Sequence, residues 1–254
     1  MTFQPCIVVP VYNHGAGAAK LMAFFAPIGL KVFFVNDGST DDTRLRLAEI
    51  ETKYPLVNVI DRKKNGGKGA AVVTGLRAAH AAGFSHALQI DADGQHDARD
   101  VPKFFTLAEE NPNAVIAGKP EFDASIPTGR LIGRYLTHIW VWIETLSFTI
   151  RDSMCGFRVY PLDPAIRVIE GARLGHRMDF DPEILVRLHW EGIRILPLPT
   201  RVIYPEDGTS HFRLWLDNWL ITRMHIRLVF GMLWRVILLR AGRFGGQDDL
   251  RKVS

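Results

Sequence analysis

Short apolar runs alternate with helix-like segments through the first half of the chain. Each run is four to six residues long and rich in β-branched or aromatic side chains, as in strands that are buried on both faces. The runs occupy residues 6–11, 31–35, 57–60, 87–90 and 114–117. Between them, apolar residues recur every three or four positions in 18–25, 42–53, 69–82 and 100–110. This alternation predicts an α/β fold with a doubly wound, mostly parallel sheet flanked by helices.

The pattern becomes more helical after residue 120. We expect a helix over 130–150, a strand over 155–160, a helix over 181–190, an extended segment over 193–204 and a last helix over 212–240. The charged residues of the last helix project onto about one third of its surface, which predicts an amphipathic tail. They are Arg213, Asp217, Arg223, Arg227 and Arg235. Its longest uncharged stretch, 228–234, is far shorter than the ~20 residues that cross a bilayer. We therefore expect a domain over 1–210 and a basic tail over 211–254.

Composition narrows the class of protein. With 47% hydrophobic and 23% charged residues, the 254-residue chain can bury a large core, which excludes a disordered protein. The two cysteines, Cys6 and Cys155, are far apart and lack a CxxC pair, so neither a disulfide framework nor a structural zinc site is indicated. The first apolar run begins within six residues, so we expect no signal peptide and a reducing, cytoplasmic setting.

The positive charge is concentrated in the last part of the chain. Residues 210–254 contain eight Lys or Arg and three Asp or Glu, whereas the other residues contain 23 and 24. A basic segment rich in Trp and Leu favours an anionic bilayer surface over a nucleic acid. We expect peripheral contact with the cytoplasmic face of the inner membrane through Trp215, Trp219 and Trp234. The alternative is that this helix packs on the protein itself or in a homo-oligomer.

Acidic side chains follow two of the apolar runs. Asp37 follows the second run, and Asp91, Asp93 and Gln95 follow the fourth at alternate positions. Residues two apart in an extended segment face the same way, and doubly wound sheets bind ligands beyond the carboxyl ends of their strands. Oxygen ligands in this arrangement suit Mg²⁺ or Mn²⁺ beside a substrate diphosphate. An acidic turn or a helix cap is the alternative for this segment.

Two glycine-rich segments resemble nucleotide-binding loops only in part. Segment 15–20 has Lys20 where a dinucleotide-binding fingerprint requires a small residue. Segment 65–69, Asn-Gly-Gly-Lys-Gly, lacks the Ser or Thr that follows the lysine of a P-loop. A glycine-rich turn that opens a helix can still approach a nucleotide closely.

Four ordered motifs resemble the GT-A domain of family 2 glycosyltransferases. They are Val-Pro-Val-Tyr-Asn at 9–13, Asn-Asp-Gly-Ser-Thr-Asp-Asp-Thr at 36–43, Asn-Gly-Gly-Lys-Gly at 65–69 and Asp-Ala-Asp-Gly-Gln-His-Asp at 91–97. Segment 152–160 is similar to the acceptor-side segment of dolichyl- and polyprenyl-phosphate sugar transferases, and the region after residue 209 looks more like bacterial lipid-pathway glycosyltransferases. The resemblance covers about residues 5–210. It implies an inverting transfer of a sugar from a nucleoside-diphosphate sugar, with UDP or GDP, to a membrane lipid or polyprenyl phosphate.

The resemblance also implies roles for individual residues. Those expected to bind the nucleotide sugar are Pro10, Tyr12, Asn13, Asp37, Lys68, Gly69, Asp91 and Ser210. Those expected to bind Mg²⁺ or Mn²⁺ are Asp91, Asp93 and Gln95. Three arginines are expected to bind the acceptor: Arg158, within the matching motif, and Arg130 and Arg134, on the preceding helix. The alternative is that they are exposed helix charges. Pro205 stands where the mannosyltransferase type has an arginine, so Ser210, His211 or Arg213 would replace it or the substrate differs.

The need for a catalytic base depends on the acceptor. A lipid phosphate is already anionic at neutral pH, whereas a hydroxyl requires a carboxylate to accept its proton. Asp152 is the first candidate for this base and Glu183 the second, with Asp179 and Asp181 behind them; each could instead cap a turn. Two other functions stay open. One is a sugar nucleotidyltransferase, which would require an arginine-bearing loop after the first strand, and the other is a non-catalytic scaffold that binds a nucleotide sugar or lipid.

Overall fold

A seven-stranded mixed sheet forms the centre of the molecule. The structure, a computed structural model, describes residues 2–122, 128–202 and 213–240, without the side chains of residues 128, 130 and 238–240. The strands are β1 (Pro5–Val11), β2 (Val32–Asn36), β3 (Val57–Asp61), β4 (His86–Gln89), β5 (Ala114–Phe122), β6 (Arg158–Pro161) and β7 (Arg194–Val202). The α-helices in these ranges are α1 (Gly15–Phe25), α2 (Thr43–Lys53), α3 (Lys68–Ala81), α4 (Val101–Glu110), α5 (Thr128–Thr145), α6 (Leu162–Gly171), α7 (Phe180–Trp190) and α8 (Leu214–Arg240).

The strand order brings the carboxyl ends of six strands to one edge of the sheet. The order is β3-β2-β1-β4-β6-β5-β7. Strand β6 runs antiparallel to both of its neighbours, and the other neighbouring pairs are parallel. The amino end of β6 therefore meets the carboxyl ends of the other strands. This confirms the predicted doubly wound, mostly parallel sheet, in which ligands bind where the strand order reverses, next to β1.

Residues of β1 alternate between two hydrophobic cores. Cys6 and Val8 point into the core that α3, α6, α7 and α8 cover, and Ile7, Val9 and Val11 point into the core under α1, α2 and α4. All five are at most 1% exposed. Burial of both faces explains why this run shows no alternation of polar and apolar residues.

Helix α1 approaches the segment after β4 through a glycine. A Cβ at Gly17 would lie 1.9 Å from the carbonyl oxygen of Ala92, which is shorter than any non-bonded contact allows. Gly17 thus lets α1 brace the segment that carries Asp91 and Asp93.

Helix α8 packs on α5 and α7 through buried polar side chains. His225 Nδ1 lies 2.7 Å from Glu144 Oε1 of α5, and neither residue is more than 6% exposed. Arg227 pairs with the fully buried Glu183 of α7. The boundary predicted near residue 210 lies outside the described residues.

Apolar side chains cover two sides of α8. The side that packs on the protein carries Ile221, Met224, Leu228 and Met232. Large apolar side chains that are 47–89% exposed follow the opposite side: they are Trp215, Trp219, Ile226, Phe230, Leu233, Trp234 and Ile237. The helix therefore does not divide into one apolar and one charged face as the sequence predicts.

The charges of α8 also differ from the prediction. Arg223 is exposed, but Asp217 is fully buried and accepts a hydrogen bond from Arg177 Nε at 2.7 Å. Over the ranges that the structure describes, no helix combines the length and hydropathy needed to cross a bilayer.

Two element boundaries differ from the sequence prediction for identifiable reasons, and one helix is not predicted. Helix α5 ends at Thr145 rather than at 150, because Leu146 adopts a left-handed conformation with φ of 50°. Strand β6 begins at Arg158 rather than at 155, because the amide of Cys155 donates to the carboxylate of Asp152 instead of to a neighbouring strand. Helix α6 is an element that the sequence pattern does not predict.

Candidate active site

A small cavity lies at the edge of the sheet where the strands end. Its volume is about 70 Å³. Its walls include Asp91, Gln95 and His96 after β4, Phe122 at the end of β5 and Arg134 of α5. The fold thus brings together three residues that the sequence nominated for a metal or an acceptor, namely Asp91, Gln95 and Arg134.

The carboxylates of Asp91 and Asp93 lie in different surroundings. Asp91 Oδ2 accepts a hydrogen bond from Lys68 Nζ at 2.7 Å, whereas Asp91 Oδ1 is buried and has no partner among the described residues. Asp93 Oδ1 accepts from the amide of Gln95 at 3.0 Å. Burial raises the pKa of Asp93, and the charge of Asp91 raises it further. A cation bound at this point would favour the ionised form of both side chains.

His96 is a site residue that the sequence pattern did not single out, although it directly follows Gln95 in the fourth motif. Its ring lies 5.5 Å from that of Phe157, and its Nδ1 is buried without a hydrogen-bond partner in the described ranges. Burial lowers the pKa of His96, so the ring is neutral at pH 7. A neutral imidazole with a free nitrogen can accept a proton or bind a cation.

Lys68 lies beneath the cavity, between two carboxylates. Its Nζ is 2.7 Å from Asp91 Oδ2 and 2.8 Å from Asp181 Oδ2 of α7. Burial works against the charge of the ammonium group, but Asp181 and Asp91 outweigh burial and raise the pKa of Lys68. Lys68 therefore holds protein carboxylates in this structure, rather than facing the open side of the site.

Gly156 lines the cavity and packs directly against the ion pair of Lys68 and Asp91. A Cβ at position 156 would lie 2.5 Å from Lys68 Nζ and 2.6 Å from Asp91 Oδ2. The segment before β6 can approach these charged groups only because the residue is glycine.

The side chain of Asp37 joins the motif at 36–43, after β2, to the glycine-rich segment at 65–69. Its buried carboxylate accepts hydrogen bonds from the amides of Gly66 and Gly67 and from Arg62 Nη1 at 2.7 Å. Burial raises the pKa of Asp37, and the amides and Arg62 act in the opposite direction. Gly67 has a φ of 95°, which favours glycine at this position. Asp37 thus shapes the loop that leads into α3.

The other predicted nucleotide residues lie close to this loop pair. Asn13, with a φ of 55°, exchanges hydrogen bonds with Thr40 through its side-chain amide. Pro10 is buried in β1 and Tyr12 is half-buried after it. Gly69 lies in the first turn of α3, where a Cβ would approach Phe180 to 2.4 Å. Pro10 and Gly69 are therefore enclosed by protein.

Asp152 is bound by donors from three directions. Arg134 donates to both of its oxygens at 2.5 and 2.9 Å, His138 Nε2 lies at 3.2 Å, and the amides of Met154 and Cys155 donate to Oδ1. Burial opposes its ionisation, but the hydrogen bond of His138 and the charge of Arg134 outweigh burial and hold the pKa of Asp152 well below its usual range. Such a carboxylate is a weak proton acceptor.

Two further nominated residues lie within the protein rather than at the cavity. Arg158 is fully buried and donates to the carbonyl oxygens of Ser153 and Asp181. Glu183 is also fully buried, where it pairs with Arg187 and Arg227. In this conformation neither side chain reaches an acceptor. The side chain of Arg130 and the whole of Ser210 lie outside the described residues.

Comparison with known proteins identifies the family. The model of glycosyl transferase family 2 matches residues 6–163, which is more than half of the chain. The chain belongs to glycosyltransferase family 2. The matched range contains all four motifs, at 9–13, 36–43, 65–69 and 91–97, and the resemblance drawn from them is confirmed.

Two relatives of this family 2 glycosyltransferase are named for dolichyl phosphate. The dolichyl-phosphate beta-glucosyltransferase ALG5C of Trichomonas vaginalis is 27% identical over 72% of this chain and 55% of its own length. The UDP-N-acetylglucosamine–dolichyl-phosphate N-acetylglucosaminyltransferase of Methanococcus voltae is 22% identical over 93% of this chain and 96% of its own length. The chain thus spans about half of the first relative and nearly all of the second.

A solved structure supports the fold. Glucosyl-3-phosphoglycerate synthase from Mycobacterium tuberculosis, in complex with Mn²⁺ and UDP-glucose, matches 90% of this chain and 78% of its own with a TM-score of 0.65. The sequence identity is 14%, so the likeness concerns the fold alone. The family 2 chain therefore has the predicted GT-A-type architecture.

Proposed function

We propose that this glycosyltransferase is a metal-dependent, inverting enzyme that moves a sugar from a UDP- or GDP-sugar to a membrane lipid or polyprenyl phosphate. The observation that carries the proposal is the buried Oδ1 of Asp91, which has no hydrogen-bond partner among the described residues and lies two residues before Asp93, at the strand ends where such sheets bind ligands. Support comes from the names of the two dolichyl-phosphate transferases and from the Mn²⁺ and UDP-glucose bound to the structurally similar synthase.

The residues after β4 fit a divalent cation. Asp91 Oδ1, Asp93 and Gln95 offer carboxylate and amide oxygens, which are the ligands that Mg²⁺ and Mn²⁺ prefer. Within the described ranges, no group of three or more His, Cys, Asp or Glu side chains could hold an ion alone. We therefore expect the donor diphosphate to complete the coordination. A cation held there would neutralise the charge that develops on the leaving diphosphate.

The donor nucleotide is proposed to lie against the loops after β1, β2 and β3. Asn13 and Asp37 each fix one of these loops by hydrogen bonds, to Thr40 and to the Gly66 and Gly67 amides respectively. Tyr12, half-buried after β1, is the proposed aromatic contact for the base. Since Lys68 is engaged with Asp91 and Asp181, its proposed contribution to donor binding is made through Asp91.

Arg134 is the proposed contact for an anionic acceptor, because it lines the cavity that Asp91 and Gln95 also line. The surroundings of the two candidate bases favour a phosphate over a hydroxyl acceptor. Asp152 has a lowered pKa, and Glu183 is fully buried between two arginines. A phosphate monoester is anionic at neutral pH and attacks without giving up a proton to the protein.

The acceptor is proposed to reach the site from an anionic bilayer. Helix α5 turns Arg134, His138 and Glu144 towards the protein, while the large side chains that it exposes among its described residues are apolar. These exposed residues are Ile132, Tyr135, Leu136, Ile139, Trp140 and Ile143. In the described part of α5, charges that point inward and apolar residues that point outward are the reverse of the usual surface pattern and mark an interaction site.

Together with the exposed side of α8, these residues form what we call the apolar face. Tryptophan is suited to the boundary between lipid and water, and Trp140, Trp215, Trp219 and Trp234 all lie on this face. The exposed Arg213 and Arg223 complement anionic head groups. Because α5 carries both the outer apolar residues and Arg134, a lipid in the bilayer could place its phosphate in the cavity. We propose the cytoplasmic face of the inner membrane as the location.

The test incubates the full chain with UDP- or GDP-sugars, Mn²⁺ and vesicles that contain polyprenyl phosphate. We expect release of the nucleoside diphosphate that requires the lipid and is abolished in Asp93→Ala. The control Asp163→Ala changes a half-exposed carboxylate that pairs with His80 on α3, and it should keep full activity. Unchanged turnover in Asp93→Ala would overturn the proposal. Formation of a nucleotide sugar from a nucleoside triphosphate would indicate the nucleotidyltransferase, and donor binding without turnover would indicate the scaffold.

A further inference from the structure

A buried polar network lies beneath Asp91, on the side away from the cavity. Its centre is Asp181, which lies in the first turn of α7 and is 3% exposed. Asp181 Oδ2 is 2.8 Å from Lys68 Nζ, and Asp181 Oδ1 accepts a hydrogen bond from Gln89 Nε2 at 3.2 Å. The same Lys68 Nζ donates to Asp91 Oδ2 at 2.7 Å. The ammonium group of Lys68 therefore joins Asp181 of α7 to Asp91, two residues beyond the end of β4.

Two residues of β6 complete the network. Arg158 Nη1 donates to the carbonyl oxygen of Asp181 at 2.6 Å and lies 3.8 Å from its Oδ1. The Tyr160 hydroxyl donates to Gln89 Oε1 at 3.1 Å. The network thus balances two carboxylates, of Asp181 and Asp91, with two cations, of Lys68 and Arg158. Buried ion pairs of this kind stabilise a fold less than apolar residues of similar size would. Their presence therefore favours a functional role for this network.

The arrangement limits what Asp91 can do. Its Oδ2 is engaged by Lys68, so the carboxylate has only Oδ1 left to offer, and that oxygen has no protein partner in the described part of the chain. If Asp181 were absent, no other carboxylate in the described part of the chain would hold the ammonium group on the far side. Lys68 could then move fully onto Asp91 and neutralise it.

We propose that Asp181 is a positioning residue: acting through Lys68, it fixes the orientation of Asp91 so that Oδ1 remains available to the donor complex. Asp181 contacts neither donor nor acceptor in this role, and it is not a general base. The inference rests on the proposed function, because it assumes that Asp91 Oδ1 takes part in binding the cation and the donor diphosphate.

The test compares wild type with Asp181→Asn, which keeps the shape and removes the charge. Binding of Mn²⁺ is measured without turnover, in the presence of UDP or GDP alone, and activity is measured as a function of Mn²⁺ and donor concentration. We expect Asp181→Asn to weaken Mn²⁺–nucleotide binding and to raise the donor KM at least tenfold, with a smaller fall in kcat at saturation. The KM for the lipid acceptor should change less than twofold.

Two further variants separate positioning from a general loss of structure. Tyr160→Phe removes only the hydroxyl that orients Gln89, and we expect a shift in the same direction but smaller, with the protein fully folded. Asp181→Glu retains the charge and should recover part of the Mn²⁺ affinity that Asp181→Asn loses. Asp163→Asn, on α6, should leave binding unchanged.

The results distinguish this inference from the proposed function. If wild type binds Mn²⁺ and nucleotide and turns over, but Asp181→Asn and Tyr160→Phe bind them with unchanged affinity, the positioning role is wrong and the proposed function stands. Should Asp181→Asn fail to fold, the affinity of Tyr160→Phe decides. If wild type itself neither binds Mn²⁺ with nucleotide nor turns over, both the function and the inference are wrong.

Discussion

Arg134 of α5 binds both carboxylate oxygens of Asp152, with its Nε 2.5 Å from Oδ2 and its Nη2 2.9 Å from Oδ1. The same carboxylate accepts from the amides of Met154 and Cys155. One side chain therefore fixes both the arginine that lines the cavity and the segment that closes the cavity before β6. Asp152 therefore organises this side of the cavity, and under the proposed function this role needs its charge but no proton transfer.

Asp152→Asn should destabilise the protein and weaken acceptor binding. The substitution leaves Arg134 without its buried counter-charge, and removing one partner of such a pair typically costs about 3 kcal/mol. We expect the free energy of unfolding in denaturant to fall by about that amount and the acceptor KM to rise at least tenfold. A kcat that falls a thousandfold with an unchanged KM would instead indicate that Asp152 is a base.

The stabilising effect of Asp152 should depend on pH in a defined direction. His138 and Arg134 hold its pKa well below its usual range in the folded state, against the effect of burial. Its contribution is therefore complete above the unfolded pKa of about 4 and is lost as pH falls towards the lower folded value. The stability difference between wild type and Asp152→Asn should be constant from about pH 5 to 7 and shrink below about pH 4. A difference that grows with acidification would contradict this assignment.

Glu183→Gln should change stability much more than catalysis. Glu183 accepts from Arg187 on its own helix and from Arg227 on α8, and it is fully buried. We expect a loss of about 3 kcal/mol in the free energy of unfolding, with kcat within about twofold of wild type. The control Glu191→Gln alters an exposed carboxylate after α7 and should shift stability by less than about 0.5 kcal/mol. A hundredfold loss of kcat in folded Glu183→Gln would restore it as a candidate base.

The first half of the fold could be predicted closely from the sequence. Segment 42–53 corresponds to α2 (Thr43–Lys53) and segment 57–60 to β3 (Val57–Asp61), because turns separate each apolar run from the next helix. Helix α6 is not predicted from the sequence, because it follows β6 directly, without an intervening turn. Its Pro164 is also a helix breaker in most positions, although it is tolerated in a first turn.

The proposed metal-binding segment of the site could be predicted because its residues are neighbours in the sequence. The spacing of Asp91, Asp93 and Gln95 is enough by itself to place them in one segment at the end of a strand. The pairing of Lys68 with Asp181, 113 positions apart in the sequence, depends on how α3 and α7 pack, which no local pattern encodes. Arg158 illustrates the reverse: its motif is recognisable, but its complete burial follows from the antiparallel placement of β6 between β4 and β5.

Gly156→Ala should disrupt the site without unfolding the protein. The added Cβ would lie 2.5 Å from Lys68 Nζ and 2.6 Å from Asp91 Oδ2, so one of these groups must move. We expect kcat/KM for the donor to fall at least tenfold and thermal stability to change little, because the displaced groups are the ends of side chains. Gly171→Ala is the matched control, since its Cβ would meet nothing within 4 Å, and it should behave as wild type. Equal activity of the two variants would show that the contact at Gly156 is unimportant.

Substitutions on the apolar face should release the protein from membranes. Burying an exposed large apolar side chain contributes about 2 kcal/mol, so losing two of them should weaken binding by roughly two to three orders of magnitude. We expect Trp215→Gln with Trp219→Gln on α8, and Leu136→Gln with Ile139→Gln on α5, each to abolish sedimentation with vesicles that contain anionic lipid. Leu45→Gln, an equally exposed site on α2 at the opposite face of the sheet, should have no effect, because that helix covers the other core. The contrary outcome is that wild type does not bind vesicles and instead forms a dimer that the α5 and α8 variants dissociate. In that case the apolar face is a contact between two copies of the chain, and the proposed route of the acceptor from the bilayer is wrong.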